Sequence, residues 1–139
     1  MKALYTAVVT AHGGRDGKIE SADGKLALDV RTPKEMGGPG GDGSNPEQLF
    51  AAGYAACFES ALRLVARMQK KTLSDASITA RVTLNVTDDK RYVLSVALSG
   101  KLAGVSKEEA TALMQAAHQV CPYSNATRDN IEVTLAVDE

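Results

Sequence analysis

The chain has 139 residues, room for one domain (residues 1–139) with a substantial hydrophobic core. Sixteen Lys and Arg against seventeen Asp and Glu leave a formal net charge of -1, which argues against nucleic acid and charged membrane surfaces as partners. With no signal-peptide pattern in Met1 to Val9, no apolar run near the roughly 18 residues of a membrane span, two cysteines and only two histidines (His12, His118), the expectation is a cytoplasmic protein with free or redox-cycling thiols and no metal site.

Lys2 to Ala11 alternates in the manner of a strand and ends at the turn cluster Gly13-Gly14-Arg15-Asp16-Gly17. Ile19 to Arg31 reads as a hairpin about Asp23-Gly24, and Pro33 to Asn45, with five glycines in "MGGPGGDGSN", as a loop. No Lys-Ser/Thr pair follows those glycines, so a phosphate-binding loop is not expected.

A long helix follows, with Asn45 as its cap, Pro46 at its first position and Glu47 in its first turn, each suited to a helix N-terminus. At 100° per residue Phe50, Gly53, Tyr54, Cys57, Ala61, Leu64, Val65 and Met68 share one face. Ala51, Ala52, Ala55 and Ala56 lie opposite, so the first half is apolar all round, the pattern of a helix covered on every side. The opposite face of the second half carries Glu59, Arg63, Arg67 and Lys70.

Ser77 to Thr87 alternates cleanly, Asp88-Asp89-Lys90 turns, and a partner strand carries Tyr92, Leu94, Val96 and Leu98, giving an antiparallel hairpin with one wet face. Ser106 to Glu109 is a capping box that opens a second helix with Ala110, Leu113, Met114, Ala117 and Cys121 on one side, stopped by Pro122. Ile131 to Val137 is a last strand. Strands, helix, strands, helix, strand in that order predict an α+β fold with mainly antiparallel pairing.

Cys57 and Cys121 both fall on the apolar stripes of the two helices. Each reads either as a small core hydrophobe or as a thiol in a pocket. A buried thiol ionises poorly and needs a cation close by to act as a nucleophile. Arg15, in a tight glycine turn, is either a solvated turn residue or a buried charge that needs a carboxylate, for which Glu47 is the candidate.

"GGRDG" (13–17), "NPEQLFAAGYAACF" (45–58) and "CPYSNATR" (121–128) together resemble the organic hydroperoxide resistance (Ohr) branch of the Ohr/OsmC superfamily, over nearly the whole chain. The aromatic residues in these motifs match the Ohr branch better than its OsmC sister, and Asp129 departs from the pattern at a position where glycine is expected. The resemblance implies an OsmC-like fold with antiparallel sheets wrapped around two long central helices, in an intertwined homodimer with its active sites at the subunit interface. It implies a thiol peroxidase that reduces organic hydroperoxides to alcohols, with Cys57 peroxidatic and Cys121 resolving. Arg15 would stabilise the thiolate and Glu47 would hold Arg15. No bound cofactor is implied; the reductant would be dihydrolipoamide or a lipoylated protein. The alternatives are an OsmC-type peroxidase with another substrate preference and a non-catalytic small-molecule binding module.

Overall fold

The computed structural model describes residues 1–138, in two compact units, Met1–Leu49 and Phe50 onward. The first unit is a three-stranded antiparallel meander, β1 (Val9–His12), β2 (Lys18–Ser21) and β3 (Ala27–Asp29), followed by the glycine-rich loop and the first turn of helix α1 (Pro46–Met68). The β2–β3 turn uses Gly24 at φ 75°, as Asp-Gly hairpins require. β1 is shorter than the alternation of Lys2 to Ala11 predicts. Its register pairs Val9 with Ser21, where β2 ends, so residues 2–7 have no strand opposite them within this sheet. Leu4 and Tyr5 are left 89% and 81% exposed.

The second unit holds the rest of α1, a long antiparallel pair β4 (Asp75–Val86) and β5 (Tyr92–Ala103), helices α2 (Lys107–Val120) and α3 (Pro122–Thr127), and β6 (Val133–Val137). Sheet order is β4-β5-β6, with Val82 opposite Val96 and Leu98 beside Leu135. β6 runs parallel to β5, against the general antiparallel trend, because the helical crossover through α2 and α3 returns the chain in the same direction. The core brings Tyr54, Phe58, Leu62 and Val65 of α1 together with Val96 and Leu98 of β5 and Leu113, Met114 and Ala117 of α2.

The caps anticipated for both helices are present. Asn45 Oδ1 accepts the Gln48 N–H at 2.8 Å, and Ser106 and Glu109 form a reciprocal capping box. The buried stripe of α1 is rotated from the expected one, running Tyr54, Phe58, Ala61, Leu62, Val65, Ala66, while Leu64 and Met68 are exposed. Ala52 and Ala56 also face outward, so one chain by itself does not cover the small apolar side of this helix. Among the described residues α1 is the one helix long and apolar enough to cross a bilayer. Tyr54, Phe58 and Leu62 are nonetheless fully buried in the core of this unit, which is how the central helix of a globular domain behaves.

Candidate active site

Pro122 determines where the second cysteine sits. A residue before proline is driven out of the helical region, and Cys121 is extended at φ -64°, ψ 125°, forming the joint between α2 and α3 rather than a place on the α2 stripe. Its side chain is completely buried. Cys57, at mid-helix in α1, is partly buried at the edge of the observed stripe, and both thiols are free. They face one another: burial pushes the Cys57 thiol up from its ordinary value, the Tyr123 backbone N–H donates to it and pulls the other way, and the hydrogen bond and charge of Cys121 add to the rise. The Tyr123 N–H lies in the first turn of α3, where no intrahelical acceptor exists, and the Cys57 sulfur takes its place.

An aromatic cluster frames the thiols. Tyr123 packs edge-on to Phe50 with centroids 6.1 Å apart and against Tyr54 at 5.6 Å. A cleft of about 470 Å³ beside Cys57 is lined by Ala61, Leu64, Val120 and Pro122, with Ser60 and Arg67 as its polar members. A second, larger cleft of about 700 Å³ lies on the other side of Pro122 and Tyr123, walled by Phe50, Tyr92, Leu94 and Ile131.

In the first unit the glycine turn is equally specific. Gly13 takes φ 88°, and a Cβ on Gly17 would stand 1.9 Å from the His12 carbonyl oxygen, so only glycine closes this turn. Asp16 clamps the turn to Thr32, accepting from its N–H at 3.1 Å and its hydroxyl at 3.0 Å. Arg15 is thereby presented to Glu47 as a bidentate fork, Nη1 to Oε2 at 3.0 Å and Nη2 to Oε1 at 2.7 Å. The Arg15 hydrogen bond holds the Glu47 carboxyl below its usual range, and Glu47 in turn raises Arg15. The structure therefore gathers the four residues singled out in the sequence into two pairs, Cys57 with Cys121 and Arg15 with Glu47. Among the described residues no group of three or more His, Cys, Asp and Glu is placed to hold a metal ion.

The OsmC-like protein family model matches residues 38–136. The organic hydroperoxide resistance protein of Xanthomonas axonopodis pv. citri (strain 306) is 50% identical over 137 residues, covering 98% of this chain and 96% of its own. The organic hydroperoxide resistance protein OhrA of Bacillus subtilis (strain 168) is 51% identical over 141 residues, covering 98% and 97%. The chain belongs to the OsmC-like family, in its organic hydroperoxide resistance branch. The crystal structure of such an Ohr protein from Legionella pneumophila superposes with a TM-score of 0.94 at 55% identity, covering 99% of this chain and 100% of that one. This agreement extends to the α+β fold as a whole.

Four residues of this site were not singled out in the sequence. Tyr54, Ser124 and Thr127 form a buried hydroxyl cluster, and His118 joins it from α2. The spacing of Ser124 and Thr127, three residues apart just after Cys-Pro, was the available signal; their partner Tyr54 lies 70 positions away from Ser124.

Proposed function

We propose that this Ohr-branch protein is a cysteine peroxidase that reduces organic hydroperoxides to alcohols. The observation that carries the reading is the facing pair of thiols, one completely buried and one opening on an apolar cleft. In the proposed cycle the Cys57 thiolate attacks the outer peroxide oxygen of ROOH. The O–O bond breaks, RO⁻ leaves and is protonated to ROH, and Cys57 becomes a sulfenic acid. The Cys121 thiol condenses with it, releasing water and forming a disulfide, before a second peroxide can over-oxidise Cys57. A dihydrolipoyl dithiol, as dihydrolipoamide or on a lipoylated protein, then exchanges with that disulfide and leaves as the cyclic disulfide. That choice of donor rests on the family resemblance.

A free thiol with pKa near 8.5 is only about 3% ionised at pH 7, and burial makes Cys57 worse. Arg15, held flat by Glu47, is proposed to supply the missing positive charge. Full ionisation is worth about thirtyfold, roughly 2 kcal/mol, and low-pKa thiolates lose intrinsic nucleophilicity. Arg15 is therefore assigned a second duty, steadying the departing alkoxide. The apolar cleft favours a hydroperoxide with a hydrocarbon tail over hydrogen peroxide, which has none.

The working unit is proposed to be a homodimer with its sites at the subunit interface. The exposed apolar residues Leu4, Tyr5, Leu64 and Met68, the residues 2–7 that lie outside the sheet and the uncovered Ala52–Ala56 side of α1 support a second copy as the missing cover. Two cysteines that cycle between thiol and disulfide suit a reducing compartment, and the cytoplasm is the proposed location.

Turnover of cumene hydroperoxide and of hydrogen peroxide, each with dihydrolipoamide, dithiothreitol, glutathione and thioredoxin as reductant, tests the reading. It expects the organic peroxide and the dihydrolipoyl donor to give the highest kcat/KM. Preference for hydrogen peroxide would favour an OsmC-type activity, and unreactive thiols a binding module.

A further inference from the structure

Ser124, three residues after Cys121, is fully buried and stands at the centre of a hydrogen-bonded chain. Its Oγ lies 2.8 Å from the Tyr54 hydroxyl and 2.7 Å from His118 Nδ1, and the Tyr54 hydroxyl also meets Thr127 Oγ1 at 3.0 Å. Burial and the nearby Arg128 charge push the His118 imidazole below its ordinary value, which favours the neutral ring at neutral pH. The Thr127 hydroxyl also donates to the Ser124 carbonyl at 3.3 Å. Arg128 closes the outside of the same joint, donating to the His118 carbonyl at 2.8 Å and to Asn125 Oδ1 at 3.0 Å.

The placement of these groups is informative. Tyr54 is one turn before Cys57 on α1, His118 is one turn before Cys121 on α2, and Ser124 and Thr127 belong to α3. A six-residue helix with no side-chain cap has little stability of its own. The chain of hydroxyls ties it to both cysteine-bearing helices, which fixes the joint carrying Cys121. An apolar core would have filled this volume equally well, whereas a fully satisfied buried polar chain also specifies one geometry.

We propose that Tyr54, Ser124 and His118 are positioning residues for the resolving step, holding Cys121 where it captures the Cys57 sulfenic acid. This rests on the peroxidase reading given above. The step is condensation of Cys57–SOH with Cys121–SH to a disulfide and water, and its rate depends on how much of the time the two sulfurs stay in line. Loosening the chain leaves the peroxide attack on Cys57 nearly intact and lengthens the life of the sulfenic acid, so a second peroxide reaches it more often.

The test is rapid-mixing kinetics on the full-length protein with cumene hydroperoxide, following sulfenic acid formation, its decay to disulfide and the fraction of Cys57 over-oxidised by mass spectrometry. Ser124→Ala and Tyr54→Phe are expected to slow disulfide formation about tenfold or more, to change the attack rate by less than about threefold, and to over-oxidise at lower peroxide. His118→Phe should behave like them, while His118→Asn, which places a hydrogen-bonding atom where Nδ1 stood, should restore much of the resolving rate. Should Ser124→Ala not fold, Tyr54→Phe, which removes one oxygen, carries the test. Variants that melt earlier but resolve at the wild-type rate overturn the inference alone. A wild-type protein that forms no disulfide with peroxide overturns the peroxidase reading, and the inference with it.

Discussion

Tyr123 lies over Gly53 so closely that a Cβ at residue 53 would stand 2.5 Å from the phenol oxygen and 3.0 Å from its ring carbon. Gly53 is one helical turn before Cys57, so the missing side chain is what lets Tyr123 settle beside the thiol.

Gly53→Ala should therefore act at a distance from the sulfur. Alanine improves the intrinsic propensity of an interior helix position, so a purely local view predicts a slightly more stable protein. The Tyr123 ring must move instead, disturbing the aromatic cluster it forms with Phe50 and Tyr54 beside Cys57. Peroxidase kcat/KM is expected to fall about ten- to a hundredfold with little loss of melting temperature, as read by steady-state kinetics beside thermal denaturation.

The two cysteines should fail differently. Cys57→Ser is expected to abolish peroxide consumption, since the other thiol, Cys121, is completely buried and does not line the cleft. Cys121→Ser should still allow one attack but leave Cys57 open to over-oxidation, giving a burst and then inactivation. Full dihydrolipoamide-driven turnover by the Cys121 variant would remove its resolving role.

Arg15→Ala separates two duties through pH. A solvated turn arginine would change little, within about 0.5 kcal/mol of stability and with no effect on rate. In the proposed role its loss raises the Cys57 thiol and also withdraws charge from the alkoxide. Higher pH restores the thiolate but not the cation, so the deficit at pH 7 should shrink near pH 9.5 without closing. Glu47→Gln should give a milder defect of the same kind and add little to Arg15→Ala, because both act through one guanidinium. Complete rescue at high pH would leave thiol tuning as the only duty.

Glu109 gives a pH test of the fold. Its carboxyl is lowered from 4.5 to about 2, first by the hydrogen bond from Lys71 and then by the Ser106 cap. A carboxyl depressed in the folded state binds fewer protons there than in the unfolded chain. Its stabilising effect is complete above its unfolded value near 4.5 and fades as pH falls toward 2. Glu109→Gln should thus be less stable than wild type at pH 7, with the gap closing near pH 2, in urea titrations across that range.

Much of this architecture was legible because local chemistry and tertiary need agree. Asn45, Pro46 and Ser106 mark the helix starts as their cap geometry requires, and the clean alternation of Ile78, Ala80 and Val82 sets the inner face of β4. Asp129 is informative in a different way: glycine was expected there, and the structure shows why, since its φ is 62° in the left-handed region that aspartate tolerates better than most residues. The rotation of the α1 stripe was hidden because alanines surround it, and small apolar residues do not say which side is inside. The length of β1 was overread because alternation reports a face that needs covering, not the presence of a partner strand. The parallel β6 had a usable signal in the long helical crossover preceding it. The Tyr54–Ser124–His118 chain had none beyond spacing, because its members meet only when three helices are assembled.

The most direct measurement is a thiol count and peptide map of the reduced wild-type protein after one equivalent of cumene hydroperoxide. Loss of both free thiols, with Cys57 and Cys121 recovered as one disulfide-linked peptide pair and the hydroperoxide recovered as its alcohol, is the predicted result. Two thiols still titratable beside unreacted hydroperoxide would contradict it.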